Sequence, residues 1–176
     1  MFENNELAKE VWQNKYATSN DKSPDDMHKR MAKEFAKIEL NYQPTETPDL
    51  RERLSKYGKH RDFLSEDNIY YLFKDFKYII PQGSVMSGLG NKAISSLSNC
   101  FVIGQPTDSY GGIFQKDEEM VQLMKRRGGV GIDISTLRPA GTTVTNAAKS
   151  STGAVSFMHR FSNSTREVAQ GGRRGI

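Results

Sequence analysis

Two short runs rich in β-forming residues, "CFVI" and "GGVGIDIS", flank one amphipathic stretch, "GGIFQKDEEMVQLMKRRGG". No other feature constrains the fold as tightly. Ile113, Met120, Val121, Leu123 and Met124 are the apolar positions of the middle stretch, and glycines stand at both its ends. Two strands that run in the same direction need a crossover of about this length, so the order predicts a parallel βαβ unit. Its helix is expected over 113–127. A further helix is expected over 153–169, with Val155, Met158, Phe161, Thr165 and Val168 sharing one face.

Upstream of residue 78 the pattern is helical and heavily charged, so two regions are expected, 1–77 and 78–176. "SPDDMHKRMAKEFAKIEL" places Ser23 as an N-cap, Pro24 at the first helical position and two aspartates in the first turn. Met27, Met31, Phe35 and Ile38 recur at helical spacing and predict one buried stripe. A shorter helix is expected over 47–59, ended by Gly58. A third is expected over 65–76, with Ile69, Leu72, Phe73 and Phe76 inward. His28, His60 and His159 lie too far apart in sequence for a local metal pair, so all three are read as structural or surface residues.

Composition sets the class. At 176 residues the chain is long enough to bury a core, yet it is polar, with 36% hydrophobic and 26% charged residues. A net charge of +4, with acidic and basic residues interspersed, argues against a nucleic-acid partner. Nothing in the sequence has the length and hydropathy of a membrane span or the form of a signal peptide, so no membrane partner is expected. One cysteine excludes an internal disulfide and a cysteine-cluster metal site, which points to a cytoplasmic setting.

Several short motifs bear on chemistry. "GLGNKA", Gly88 to Ala93, lacks the preceding strand and following long helix of a dinucleotide loop. Gly128, Gly129 and Gly131 either let a bound molecule approach the backbone or make a tight helix-to-strand turn. Arg126 and Arg127 suit either a phosphate or a helix C-terminus. Arg138 follows a strand, where ligands collect in open α/β sheets, or is a surface arginine. Cys100, preceded by Ser98 and Asn99 and followed by "FVI", is either a small buried residue or a thiol that reacts through its sulfur.

Taken in order and with their intervals, "SLSNCFVI", "DSYGGIF", "KRRGGVGIDISTLRPAG", "STGAVSFMHRFSNSTREV" and "QGGRRG" resemble the large, catalytic subunit of ribonucleotide reductase, most closely class I. The likeness is close over about residues 78–175. It implies an α/β fold in which a helical front is followed by the first strands and helices of a ten-stranded α/β barrel, incomplete in this chain. It also implies that Cys100 is a redox cysteine beside the substrate ribose, with Ser84, Ser98, Asn99, Gly128 and Gly129 bordering the substrate nucleotide. Asp108, Ser109 and Tyr110 match the place where the family holds the deoxyribose of an allosteric effector, and Lys125 and Arg138 lie near its phosphates. Thr145 and Asn146 fall in the first specificity loop, where some members carry an arginine or a small pair instead.

The resemblance further implies a homodimer through helices 113–127 and 153–169, with nucleotide substrate and effector as ligands. No cofactor is expected on this chain, the radical being supplied by a metal-containing small subunit. Such chemistry needs further cysteines from later barrel strands, and a single thiol cannot form an internal disulfide. The chain alone is therefore expected to be inactive and to require a C-terminal remainder of the large subunit, as with a split gene, an intein-interrupted polypeptide or a cut fragment. Two alternatives stand beside this reading: a non-catalytic nucleotide-binding or assembly module, and a fragment of a cobalamin-dependent reductase.

Overall fold

In a computed structural model, residues 5–41, 56 and 64–168 are described. Apart from Lys56, the helix expected over 47–59, with Gly58, lies outside them, as does His60. The chain divides into two compact units, Met1–Ala93 and Ile94–Ile176. Composition changes near residue 78, whereas packing changes after residue 93.

In the first unit, α1 (Glu6–Lys15), α2 (Pro24–Leu40) and α3 (Glu66–Phe73) are followed by a 3₁₀ turn (Lys74–Phe76) and the short α4 (Gly83–Gly88). The start of α2 is a full capping box. Ser23 Oγ accepts from the Asp26 N–H, and the Asp26 carboxylate accepts from the Ser23 N–H, so two of the helix's orphan donors are satisfied at once. Met27 and Met31 are completely buried and pack with Trp12, Ile69, Phe73, Met86 and Leu89.

Two helix expectations need correction. Ile38 is 47% exposed, because α2 runs to 17 residues and α3 only to 8, so the last turns of α2 extend beyond the helix that covers it. The third helix also stops early. Asp75 and Phe76 take φ of +54° and +53°, left-handed values that no α-helix continues through. Phe76 turns back over His28, with ring centroids 4.9 Å apart and edge to face.

Arg30 ties this unit together. Its Nη2 donates to Asp21 Oδ2 at 2.8 Å and to the Met86 carbonyl at 2.8 Å, and Nη1 donates to the Leu89 carbonyl. These bonds satisfy carbonyls at the end of α4. Burial alone raises the Asp21 pKa, but the hydrogen bonds from Arg30 and the Thr18 N–H outweigh it and hold the carboxyl below its ordinary value.

In the second unit, β1 (Cys100–Ile103), α5 (Tyr110–Met124), β2 (Gly129–Ile132) and α6 (Ala154–Val168) follow in order. The strands pair in parallel, Cys100 opposite Gly129 and Ile103 opposite Ile132, as the βαβ pattern requires. Two strands form an open sheet among the described residues. Ile113, Met120 and Met124 of α5 pack with Val130, Leu137 and Phe161. The stripe expected on α6 is rotated: Val155 and Met158 are exposed, while Phe161 is buried and Ala154, Phe157 and Val168 pack beside it. Spacings of three, seven and fourteen from Ala154 select that face. Among the described residues no helix is long and apolar enough to cross a membrane.

His28 supplies a test of the first unit. It is buried, its Nε2 has no hydrogen-bond partner, and burial lowers its pKa below 6.5 despite the partial opposing effect of Asp25 and Asp75. The unfolded chain takes up the proton near pH 6.5 while the folded one resists. Stability from this group is therefore complete above that pH and is lost as the pH falls toward the lower folded value. The urea midpoint, followed by fluorescence of the single Trp12, is expected to drop from pH 7 to 5.5, and His28→Phe to flatten that drop. An equal slope in both proteins contradicts the assignment.

Candidate functional site

The βαβ unit places its two candidate sites at opposite ends of the strands. At the amino ends, Gly129 donates its N–H to the Asn99 carbonyl at 2.7 Å, just outside the Cys100–Gly129 pair. Ser98 Oγ donates to the Cys100 carbonyl at 3.3 Å. Cys100 itself is exposed, so the reading of it as a buried core thiol is set aside.

Gly128 shows why this end is built from small residues. A Cβ there would lie 2.7 Å from the Phe101 ring and 3.1 Å from the Leu123 carbonyl. Close helix-to-strand packing thus accounts for this glycine. The Gly128 N–H also closes the helix end by donating to the Leu123 carbonyl at 3.0 Å, and Arg126 Nη1 donates to the Gln122 carbonyl at 2.6 Å. Arg126 therefore serves the helix C-terminus. Ser98, Asn99, Cys100, Gly128 and Gly129 come together, while Ser84 is buried on α4 of the other unit.

At the carboxyl ends lies a cleft of about 240 Å³. Asp108, Ser109, Tyr110, Arg138, Thr145 and Asn146, which are far apart in sequence, all line it. Arg138 Nε donates to Asp108 Oδ2 at 2.6 Å, its backbone N–H to Oδ1 at 3.3 Å and its Nη2 to the Asp108 carbonyl at 3.2 Å. The side-chain hydrogen bond from Arg138 holds the Asp108 carboxyl below its usual range, so near neutral pH it is an acceptor only. Ser109 caps α5 by accepting the Gly112 N–H at 3.1 Å. A Cβ on Gly112 would collide with the Thr107 backbone and hydroxyl, so glycine permits the tight turn that carries Asp108.

A narrow loop forms the far wall. Thr143 and Ser150 make an antiparallel bridge, and Ser151 donates its N–H to the Thr142 carbonyl at 2.8 Å. That bridge brings Val144, Ala148, Ser150, Ser151 and Thr152 to the cleft, with Ile113 and Phe157 beneath. Sequence reasoning missed these residues. The only available signal was the run of small polar residues from 142 to 152. Lys125 does not line the cleft: it is the C-cap of α5, about 24 Å along the helix from Ser109. Chemically, the cleft offers an anionic acceptor, a guanidinium, a helix N-terminus and aromatic surface. Such a set fits a polar, phosphate-bearing ring compound.

The family profile described as "Ribonucleotide reductase, barrel domain" matches residues 98–175. Over that segment the chain matches the reductase barrel domain and is similar to ribonucleotide reductase large subunits. Ribonucleoside-diphosphate reductase large chain 2 of Saccharomyces cerevisiae is 33% identical over 78 residues, covering 44% of this chain and 9% of its own. The large subunit of Caenorhabditis elegans is 22% identical over 137 residues, covering 78% of this chain and 17% of its own. The fold is similar to that of the Actinobacillus ureae class Id ribonucleotide reductase alpha subunit, with a TM-score of 0.64 and 20% identity. That likeness covers 95% of this chain and 26% of that one. The chain thus spans from 9% to 26% of these three reductases, and its open sheet fits an incomplete α/β barrel.

Close packing at Gly128 can be tested against a neighbouring glycine. Gly128→Ala is expected to destabilise the second unit by about 1–3 kcal/mol through overpacking. Gly131→Ala, whose Cβ would meet Val102 at an ordinary 3.7 Å, is expected to cost much less. Urea unfolding of both variants decides it, and equal losses contradict the account.

Proposed function

We propose that the chain contributes to reduction of ribonucleotides as a portion of a ribonucleotide reductase large subunit, with one redox thiol and one effector site. The observation that carries this reading is the cleft: six of the seven residues assigned to effector binding from the sequence line one 240 Å³ space. Asp108 accepts from a sugar hydroxyl, and Arg138 with the α5 N-terminus meets the phosphates. Lys125, at the other end of its helix, takes no part within the same protomer.

Cys100 is the proposed electron donor. It is exposed, and Ser98, Asn99, Gly128 and Gly129 lie beside it at the amino ends of the strands. In the reaction, one thiol from Cys100 and one from a complementing chain form a disulfide. Two electrons and two protons leave the thiols: the C2′–O bond of the ribose breaks, a C2′–H bond forms in its place, and the hydroxyl departs with the other proton as water. The named relatives act on ribonucleoside diphosphates, and we carry that substrate class over. The reading also includes a class I-type radical from a metal-containing small subunit and a homodimer through α5 and α6. Tyr110, Phe114, Val155 and Met158 on these helices expose an apolar face consistent with such contact.

A non-catalytic module that binds nucleotides without turnover is the competing reading, favoured by the self-contained cleft. Two measurements separate them. The chain alone is expected to bind a deoxynucleoside triphosphate, with Arg138→Gln weakening it at least tenfold, the worth of one charge-assisted contact at roughly 1.4 kcal/mol or more. With a chain carrying the remaining barrel strands and the small subunit, deoxynucleotide formation is expected, and Cys100→Ser is expected to abolish turnover with dithiol reductants. Nucleotide binding without turnover in any complemented mixture supports the module instead.

A further inference from the structure

The face between α5 and α6 contains a carboxylate that stability does not explain. Asp117 is only 8% exposed, between Ile113 and Met120 on the buried side of α5. Its Oδ2 accepts from Arg160 Nη2 of α6 at 2.8 Å, while its Oδ1 is buried with no hydrogen-bond partner. A half-satisfied carboxylate in an apolar interface is unfavourable, and a leucine or methionine fills such a place without the penalty. The pair therefore calls for an explanation other than stability.

Arg160 leads from that carboxylate toward the cleft. Its guanidinium lies 4.4 Å from the centroid of Phe114. Phe114 stacks on Tyr110 at 6.0 Å, and Tyr110 meets Phe157 edge-on at 6.3 Å. Tyr110 and Phe157 are cleft walls. Tyr110, Phe114 and Asp117 follow at spacings of four and three, which align them along one side of α5.

We infer that Arg160, oriented by Asp117, is a positioning residue that clamps Phe114 and through it holds the Tyr110 ring in place at the cleft wall. The inference rests on the reading of the cleft as a nucleotide site. Tyr110 is 57% exposed in the first turn of its helix, and within the chain its ring rests on Phe114 and Phe157. A ring that wanders must be ordered by the ligand, and affinity falls by the fraction of time the wall is wrongly set. Arginine suits this task because its planar group stacks on an aromatic face while its fork engages a carboxylate; lysine does not do both.

The test uses the full chain labelled with 3-fluorotyrosine, the Tyr110 resonance being assigned through Tyr110→Phe. Arg160→Met, Arg160→Lys and Asp117→Asn are compared with Met120→Ala, which loosens the same core without touching the clamp. Without ligand, Arg160→Met and Asp117→Asn are expected to shift or broaden the Tyr110 fluorine signal. With 2′-deoxythymidine triphosphate as the probe, all three clamp variants are expected to bind about fivefold more weakly, the scale of a lost partly exposed cation–π contact. Met120→Ala is expected to lower the Tm and leave affinity in place. An unchanged Tyr110 signal or unchanged affinity in Arg160→Met overturns the clamp, as does an equal affinity loss in Met120→Ala at equal Tm. If the unmutated chain binds neither this nucleotide nor 2′-deoxyadenosine triphosphate, the nucleotide reading of the cleft falls. The fluorine signal then decides the clamp alone: a shift upholds it, and no shift overturns it.

Discussion

The parallel pairing of Cys100–Ile103 with Gly129–Ile132 is the constraint on which the second unit depends. Once the strands run in the same direction, the connecting helix must travel back along them. Its capped start then lies at the carboxyl ends of the strands and its finish at their amino ends. Four residue pairs separate the two ends, on the order of 10 Å of strand. The thiol and the cleft are consequently held apart on one rigid element. Gly128 allows the helix to return this closely, and Gly112 allows it to begin this abruptly.

Charge serves geometry here more than stability. The Asp108–Arg138 pair is about one-third exposed on both sides, where solvent screens such pairs and they add little stability. What the pair achieves is orientation. It joins the turn after β1 to the turn after β2, and Thr136 adds a second tie by donating to the Pro106 carbonyl at 2.7 Å. Nearby, Asp133 accepts from Ser135 and Gln105, whose hydrogen bonds keep its carboxyl below its normal range. Both strand ends thus rest on aspartates that accept hydrogen bonds from the neighbouring loop. In the first unit Arg30 does the same for α4, but as a largely buried group that serves Asp21 and two carbonyls at once.

The competing readings of individual residues were decided by packing. Arg126 turned to its own helix end, and Gly128 to the Phe101 ring, so neither needs a ligand to explain it. Arg138 turned instead to a carboxylate at a cleft wall, and Cys100 to the surface. Phe157 could not be singled out among the apolar residues of α6, because Val155 and Met158 satisfy helical periodicity nearly as well. The choice among them depends on where α5 lies.

From the sequence alone came the βαβ order, the capping box at Ser23, the family resemblance over about residues 78–175 and the residue types of both candidate sites. Those are local matters: periodicity, turn chemistry and motif spacing are written in neighbouring residues. Tertiary structure decided which face of α6 is buried, why α3 stops before Asp75, and that residues from 108 to 157 enclose one cleft while Lys125 stands away from it. It also produced the contact series from Asp117 to Tyr110. Such outcomes arise from approach between elements distant in the chain, where the shape and reach of the opposing side chains, rather than local preference, set the result.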